Sequence, residues 1–146
     1  MALKFFDMLN KINKYIVLLA AIIVSSVFGI ESVQAEEKGR FFEMRTYYAN
    51  VGKLDELNAR FRDHTVDLFK KHGMINIGYW VPTENKDNKL VYILAYSSKE
   101  DREKSWKGFL NDPDWKAAFK SSIKDGRLVK KIESDFLKGT DFSAIK

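Results

Sequence analysis

The chain has 146 residues, no cysteine, two prolines and eight glycines, and its 25 Lys and Arg against 20 Asp and Glu give a formal net charge of +5. That length suits one domain, and zero cysteine excludes a disulfide framework, thiolate zinc or iron–sulfur ligation, a cysteine nucleophile and a lipid-modified N-terminal cysteine. Two histidines leave no His-rich metal cluster, and a composition that is 45% hydrophobic and 14% aromatic is globular rather than disordered or collagenous.

The first 35 residues read as an address. A basic leader carrying Lys4, Lys11 and Lys14 precedes an uncharged run from Tyr15 to Ile30, and Ser32-Val-Gln-Ala35 closes on a small-x-small site at Val33 and Ala35. This is the pattern of a secretory signal peptide, with cleavage expected between Ala35 and Glu36. The alternative is a retained anchor, but the run of about 16 residues falls short of the roughly 20 a spanning helix requires. Removing the leader takes away three lysines, one aspartate and one glutamate and leaves a mature domain, residues 36–146, at +4. Its basic residues alternate with acidic ones, as in Lys99-Glu-Asp-Arg-Glu-Lys104, so no polybasic stripe exists for nucleic acid. The expected location is the periplasm or the medium, with no membrane association after cleavage.

The mature region reads β-α-β-β-α-β. Phe41 to Tyr48 is a strand, closed by a turn at Gly52. From Lys53, Leu54, Leu57, Phe61, Leu68 and Phe69 recur on one helix face, and the helix stops at Lys70-Lys-His-Gly73, basic residues followed by a glycine suited to a left-handed cap. Met74 to Val81 is the second strand, Glu84-Asn-Lys-Asp-Asn88 a hairpin turn and Leu90 to Tyr96 the third strand. Ser98-Lys-Glu-Asp101 resembles a capping box with Asp in place of Glu or Gln, opening a helix through Trp106, Phe109 and Leu110. Asn111-Asp112-Pro113 restarts the chain with Asp112 as N-cap and Pro113 at the first helical position. Trp115, Phe119 and Ile123 form that helix's stripe, and Leu128 to Leu137 is the last strand. The fold class expected is α+β: a ferredoxin-like, four-stranded antiparallel sheet with helices on one face.

An antiparallel sheet with one wet face alternates apolar and polar residues. The third strand sets Leu90, Tyr92, Leu94 and Tyr96 against Val91, Ile93 and Ala95; the second sets Ile75, Ile77, Tyr79 and Val81 against Met74, Gly78 and Trp80. Both faces are apolar, and the chain's own helices cover only one. A second copy of the sheet is the simplest cover for the other, and burying several large side chains at about 25 cal/mol per Å² makes a homodimer the expected state.

The ordered set Phe42-Glu-Met-Arg-Thr-Tyr47, Gly52-Lys-Leu-Asp55, Phe61-Arg-Asp-His64, Lys71-His-Gly-Met74, Gly78-Tyr-Trp80, Tyr96-Ser-Ser98, Asp101-Arg102, Trp106 and Asp112-Pro-Asp-Trp115 resembles the NIPSNAP family over residues 41 to 137. The resemblance implies a dimeric α/β-barrel in which two ferredoxin-like subunits pair their sheets. The family's better-known members are mitochondrial proteins linked to vesicular transport and mitophagy signalling. This chain differs in its short length and its leader, so the resemblance carries the fold and not those roles.

Glu43, Arg45 and Tyr47 alternate along the first strand and share one face. If Phe42, Met44 and Tyr48 face the helices, that trio faces the partner sheet. It forms either an ion pair with a tyrosine hydroxyl that sets strand register, or a polar cluster holding an anion through Arg45. His64 follows Leu57 and Phe61 at helical spacing, placing it on the apolar face as a satisfied core histidine or as a base or ligand contact. His72 reads as a helix-end residue. Trp80 is an aromatic pocket candidate, whereas Trp106 and Trp115 lie on packing stripes, and Asp101-Arg102 reads as a helix cap with salt links. His64 with Asp63 or Asp67 lacks a second histidine, so no metal site is expected.

Two functions fit. The first is an exported homodimer that binds a small apolar or anionic molecule through Glu43, Arg45, Tyr47, His64 and Trp80, without a cofactor. The second is a small cofactor-independent enzyme, an oxygenase or isomerase of the dimeric α/β-barrel type, with His64 as base and Arg45 or Tyr47 polarising the substrate. By strand parity His64 and Arg45 belong to opposite sides of the sheet, which counts against the enzyme.

Overall fold

The computed structural model describes residues 40–146; the leader and its cleavage point lie outside the described residues. Strand β1 (Phe41–Ala49) leads to helix α1 (Leu54–Arg60), which continues through a π turn (Phe61–Thr65) into α2 (Val66–Lys71). Strands β2 (Ile75–Trp80) and β3 (Lys89–Tyr96) form a hairpin, followed by α3 (Lys99–Asn111), α4 (Pro113–Ser122) and β4 (Val129–Lys138). The sheet order is β2-β3-β1-β4 with every neighbouring pair antiparallel. This is the expected ferredoxin-like arrangement, and β1 and β3 are its central strands.

Local chemistry explains the helix ends. Gly73 adopts a φ of +79°, and its N–H donates to the Lys70 carbonyl while the Met74 N–H donates to that of Phe69. That paired closure requires a residue free to enter the left-handed region. The Ser98 hydroxyl accepts from the Asp101 N–H at 3.1 Å and caps α3. Asp112 caps α4 by accepting from the Asp114 N–H at 2.8 Å, with Pro113 in the first turn. The other Asp112 oxygen takes His72 Nε2 at 2.7 Å and Lys71 Nζ at 2.9 Å, tying the end of α2 to the start of α4.

Pairing across β1 and β3 decides which way the sheet faces, and it reverses one expectation. Tyr47 stands opposite Leu90, Arg45 opposite Tyr92 and Glu43 opposite Leu94. Residues directly opposite on antiparallel strands share a face. Leu90, Tyr92, Leu94 and Tyr96 form the core beneath the helices together with Leu57, Phe61, Phe69 and Phe109. Glu43, Arg45 and Tyr47 therefore face the helices, while Phe42, Met44, Thr46 and Tyr48 lie on the outer face. The four large apolar residues of β3 outweigh the Phe42–Met44 preference that suggested the opposite orientation. Phe69 sits at the centre of this core, with ring centroids 4.8 Å from Phe109, 5.5 Å from Trp106 and 6.0 Å from Tyr92.

In β2 the register slips between Asn76 and Gly78, so Ile77 is the extra residue of a bulge. Ile75, Gly78 and Trp80 consequently share the outer face, and Asn76 and Tyr79 face the helices, which corrects the simple alternation read for this strand. Trp80 folds back over Gly78, where an added Cβ would come within 2.6 Å of the indole ring.

The π turn makes the third correction. One extra residue between Phe61 and Thr65 rotates the following turn, so Thr65 is buried and His64 is exposed. The Thr65 hydroxyl donates to the Arg60 carbonyl at 3.2 Å, satisfying an oxygen that the widened turn frees. His64 is thus not a core residue, because the regular 3.6-residue period assumed for Leu57, Phe61, His64 and Leu68 is broken within that span. We expect Leu57→Ala, at a fully buried position, to cost about 2–5 kcal/mol in denaturant unfolding. His64→Ala should change stability by less than about 0.5 kcal/mol; a cost comparable to Leu57→Ala would contradict the π-turn register.

Candidate functional site

The site grows from one carboxylate. Glu43 is 0% exposed on the central strand β1, where an uncompensated charge would cost several kcal/mol. Donors from four elements meet it. Arg45 Nη1 of the same strand lies 2.6 Å from Oε1, and Arg102 of α3 forks across both oxygens with Nε at 2.9 Å and Nη2 at 2.8 Å. Ser134 of β4 donates at 2.7 Å, Trp106 Nε1 at 3.0 Å and the Tyr96 hydroxyl at 3.3 Å. Burial works against the charge, yet the bonds from Arg102, Ser134 and Arg45 and the Arg45 charge hold the carboxyl at about 2. Burial and then the Glu43 charge push the Tyr96 hydroxyl up, so it remains a neutral donor.

Arg45 is positioned by this anchor. Its guanidinium lies 4.5 Å from the Trp106 ring centroid and 5.6 Å from that of Tyr47. From there it lines a cleft of about 830 Å³ between the sheet and the helices, whose walls include Tyr47, Arg60, Trp106, Trp115 and Phe119. The volume lies within the range of small-molecule sites. Leu110, Phe119 and Ile132 line the cleft while remaining 53%, 43% and 45% exposed, so its mouth is apolar. Arg127 and Lys130 line the cleft on the β4 side, as does Lys131, whose ammonium pairs with Glu133 on the outer face, and no Asp, Glu or His among the described residues belongs to the walls.

Of the residues singled out in the sequence, Glu43, Arg45 and Tyr47 come together here, on the side opposite to the one expected. The Glu43–Arg45 ion pair forms as anticipated, but the hydroxyl it recruits is that of Tyr96 rather than Tyr47. His64 does not join them. Trp80 is 51% exposed and borders a separate, shallower groove of about 290 Å³ with Tyr79, Val81 and Leu90. Trp106 and Trp115, assigned to packing, line the cleft as well. His72 sits at the C-terminal cap of α2, as read, with its ring turned to Asp112. Among the described residues no three His, Asp or Glu side chains converge as metal ligands.

Sequence reasoning missed Arg102 and Arg60. Arg102, Trp106 and Phe109 follow one another at spacings of four and three, a helical stripe that the capping reading of Asp101-Arg102 concealed. Arg60 lies three residues after Leu57 on the buried side of α1, a signal that a charge in an apolar stripe always offers.

The carboxylate's depressed value has a pH consequence. A group held at about 2 rather than 4.5 contributes its full stabilisation above pH 4.5 and loses it as the pH falls toward 2. The shift corresponds to about 3 kcal/mol. Glu43→Gln should therefore lower stability at pH 7 by roughly 3 kcal/mol, since Arg45 and Arg102 lose their shared counter-charge. It should also flatten the acid limb of the stability curve between pH 4.5 and 2, as followed by thermal unfolding across that range.

Comparison with known proteins places this architecture. The NIPSNAP family model matches residues 42–144. The mouse protein NipSnap homolog 3B is 29% identical over 85 residues, 58% of this chain and 34% of its own length, so the chain spans about a third of that relative. A crystal structure of a NIPSNAP family protein of unknown function from Agrobacterium tumefaciens superposes with a TM-score of 0.67 at 26% identity, covering 75% of this chain and 96% of the other. A putative antibiotic biosynthesis monooxygenase from Nitrosomonas europaea shares the fold alone, with a TM-score of 0.50 at 9% identity over 68% of this chain and 97% of its own. With the family pattern running from the strand that carries Glu43 to beyond β4, the chain belongs to the NIPSNAP family.

Proposed function

We propose that this NIPSNAP domain is a binding module that holds a small apolar anion in the cleft between its sheet and helices. The observation that carries the reading is the wall chemistry: aromatic faces and arginines around about 830 Å³, with no carboxylate and no histidine among the described residues that line it. A carboxylate-free, arginine-bearing cavity favours a negative guest, and the rings favour an apolar body. The enzymatic alternative needs a base beside the substrate. His64, its candidate, is exposed and does not line the cleft, and the likeness to a putative monooxygenase is one of fold.

We also propose that the protein is exported by its leader and that its outer sheet face pairs with a second copy. Supporting the second copy, Ile75, Trp80 and Leu137 remain 42%, 51% and 39% exposed, and Val91 and Ile93 lie between the β2 and β1 residues of that face. A contiguous apolar surface of this kind is a recognised mark of an interaction site.

Protein recovered from its expressing cells should begin at Glu36 by N-terminal sequencing and scatter light as a dimer; a stable monomer would remove the dimer. Native mass spectrometry should find a co-purifying organic acid that Ile132→Trp, which narrows the cleft mouth, displaces. If the wild-type protein retains no ligand and takes up none from a panel of fatty and aromatic acids, the binding module is wrong.

A further inference from the structure

We infer that Arg60 is the anion receptor of the cleft and that its ligand is a monocarboxylate with a planar aromatic body; this rests on the binding reading above. Besides the exposed Arg127, three arginines that are buried or half-buried line the cleft. Arg45 and Arg102 share the Glu43 carboxylate. Arg60 is buried to the same degree as the core, 5% exposed, and pairs with no carboxylate among the described residues. Its Nη1 donates to the Ser122 hydroxyl at 3.1 Å, and its Nε is buried with no acceptor.

A guanidinium does not shed its proton to escape burial. Burial lowers the Arg60 pKa, partly offset by the Tyr47 and Tyr92 oxygens, and the charge is left without an opposite number. An uncompensated buried charge is costly, and a guest anion in the adjoining cleft would supply the missing partner. The local backbone serves this placement. Arg60 is the last residue of α1, and the π turn that follows keeps Arg60, Phe61 and Thr65 all on the cleft. Single π turns recur at functional sites.

The headgroup and body of the ligand follow from what surrounds the free donor. One buried, unopposed guanidinium matches one negative charge; a phosphate dianion would call on Arg45 and Arg102, which Glu43 already holds, while Arg127 and Lys130 of the same cleft are exposed to solvent. Around Arg60 the nearest walls are ring faces, Trp115 at 5.4 Å and Phe119 at 5.5 Å from its guanidinium carbon. A carboxylate taken up by Arg60 would bring its attached body against these rings, where a flat aromatic framework stacks and a flexible chain loses more freedom.

The test uses the intact purified protein with 2-naphthoate, its neutral isostere 2-naphthamide and the flexible decanoate, followed by calorimetry and by quenching of tryptophan fluorescence. The wild type should bind 2-naphthoate at least about tenfold more tightly than 2-naphthamide, the scale of one charge-assisted hydrogen bond, and more tightly than decanoate. Arg60→Met should abolish the preference for the acid over the amide. The same variant should raise the unfolding temperature of the unliganded protein, because it removes an unpaired buried charge; an arginine with a merely structural role would lower it on removal. If Arg60→Met yields no folded protein, that role is structural and the inference falls. Equal binding of acid and amide by the wild type, or a preference that survives Arg60→Met, overturns the receptor while leaving the cleft a binding site. A preference for decanoate overturns the aromatic body. Failure of all three probes to bind overturns the inference, and if native mass spectrometry also finds no co-purifying acid the reading on which it rests falls with it.

Discussion

A carboxylate kept ionised in the middle of a β-sheet organises much of this molecule. Glu43 has no water to turn to, so its oxygens must be met by the protein, and the groups that meet them come from every direction in which the fold could otherwise drift. Arg45 arrives along the same strand, Tyr96 from the neighbouring strand β3, Ser134 from β4 on the other side, and Arg102 and Trp106 from α3 above. Each of these bonds fixes a register or a docking angle as well as a charge. A one-residue slip of β1 against either neighbour would turn Glu43 to the outer face and strand Arg102 over an apolar core. In this sense the ion cluster acts as a specificity device, while the aromatic core around Phe69 and Tyr92 supplies the bulk of the burial.

That anchor has a consequence for the cleft beside it. Because Glu43 holds two arginines in fixed orientations, Arg45 lies flat against Trp106 and contributes to the cleft wall without being available as a free counter-charge. Arg60, delivered by a different helix and hydrogen-bonded among the described residues only to a serine hydroxyl, is left chemically unlike its neighbours. Among the cleft's arginines that are not solvent-exposed, two bound to structure and one bound to no charged group among the described residues make a division of labour within a single cavity. The π turn after Arg60 is the backbone feature that accompanies it, turning His64 outward and Thr65 inward.

The sheet has two sides with different chemistry. Its helix-covered side holds the polar cluster, the aromatic core and the cleft. Its outer side is apolar along β2 and β3 and becomes charged toward β4, where Tyr48 donates to Glu133 beside Lys131. The NIPSNAP membership accounts for the architecture, and the cleft with its arginines is where chemistry particular to this chain would be found.

Element order and type were legible from local sequence. The caps at Ser98 and Asp112-Pro113, the glycine at position 73 and the alternation in Leu90–Tyr96 each reflect forces acting within a few residues, and each stands in the fold as read. The Glu43–Arg45 pair was legible too, because i, i+2 on a strand guarantees a shared face. What tertiary structure alone decided was direction. Which face of β1 meets the helices depends on its pairing with β3. The outward turn of His64 depends on a single inserted residue that leaves the apolar pattern nearly unchanged, and the shift in β2 rests on the bulge at Ile77. Arg102 and Arg60 looked like ordinary helix charges, since nothing in a one-dimensional spacing says that a carboxylate waits 59 residues away for one of them and only a hydroxyl for the other. Periodicity reports short-range preference; the partners of a buried charge are set by long-range packing.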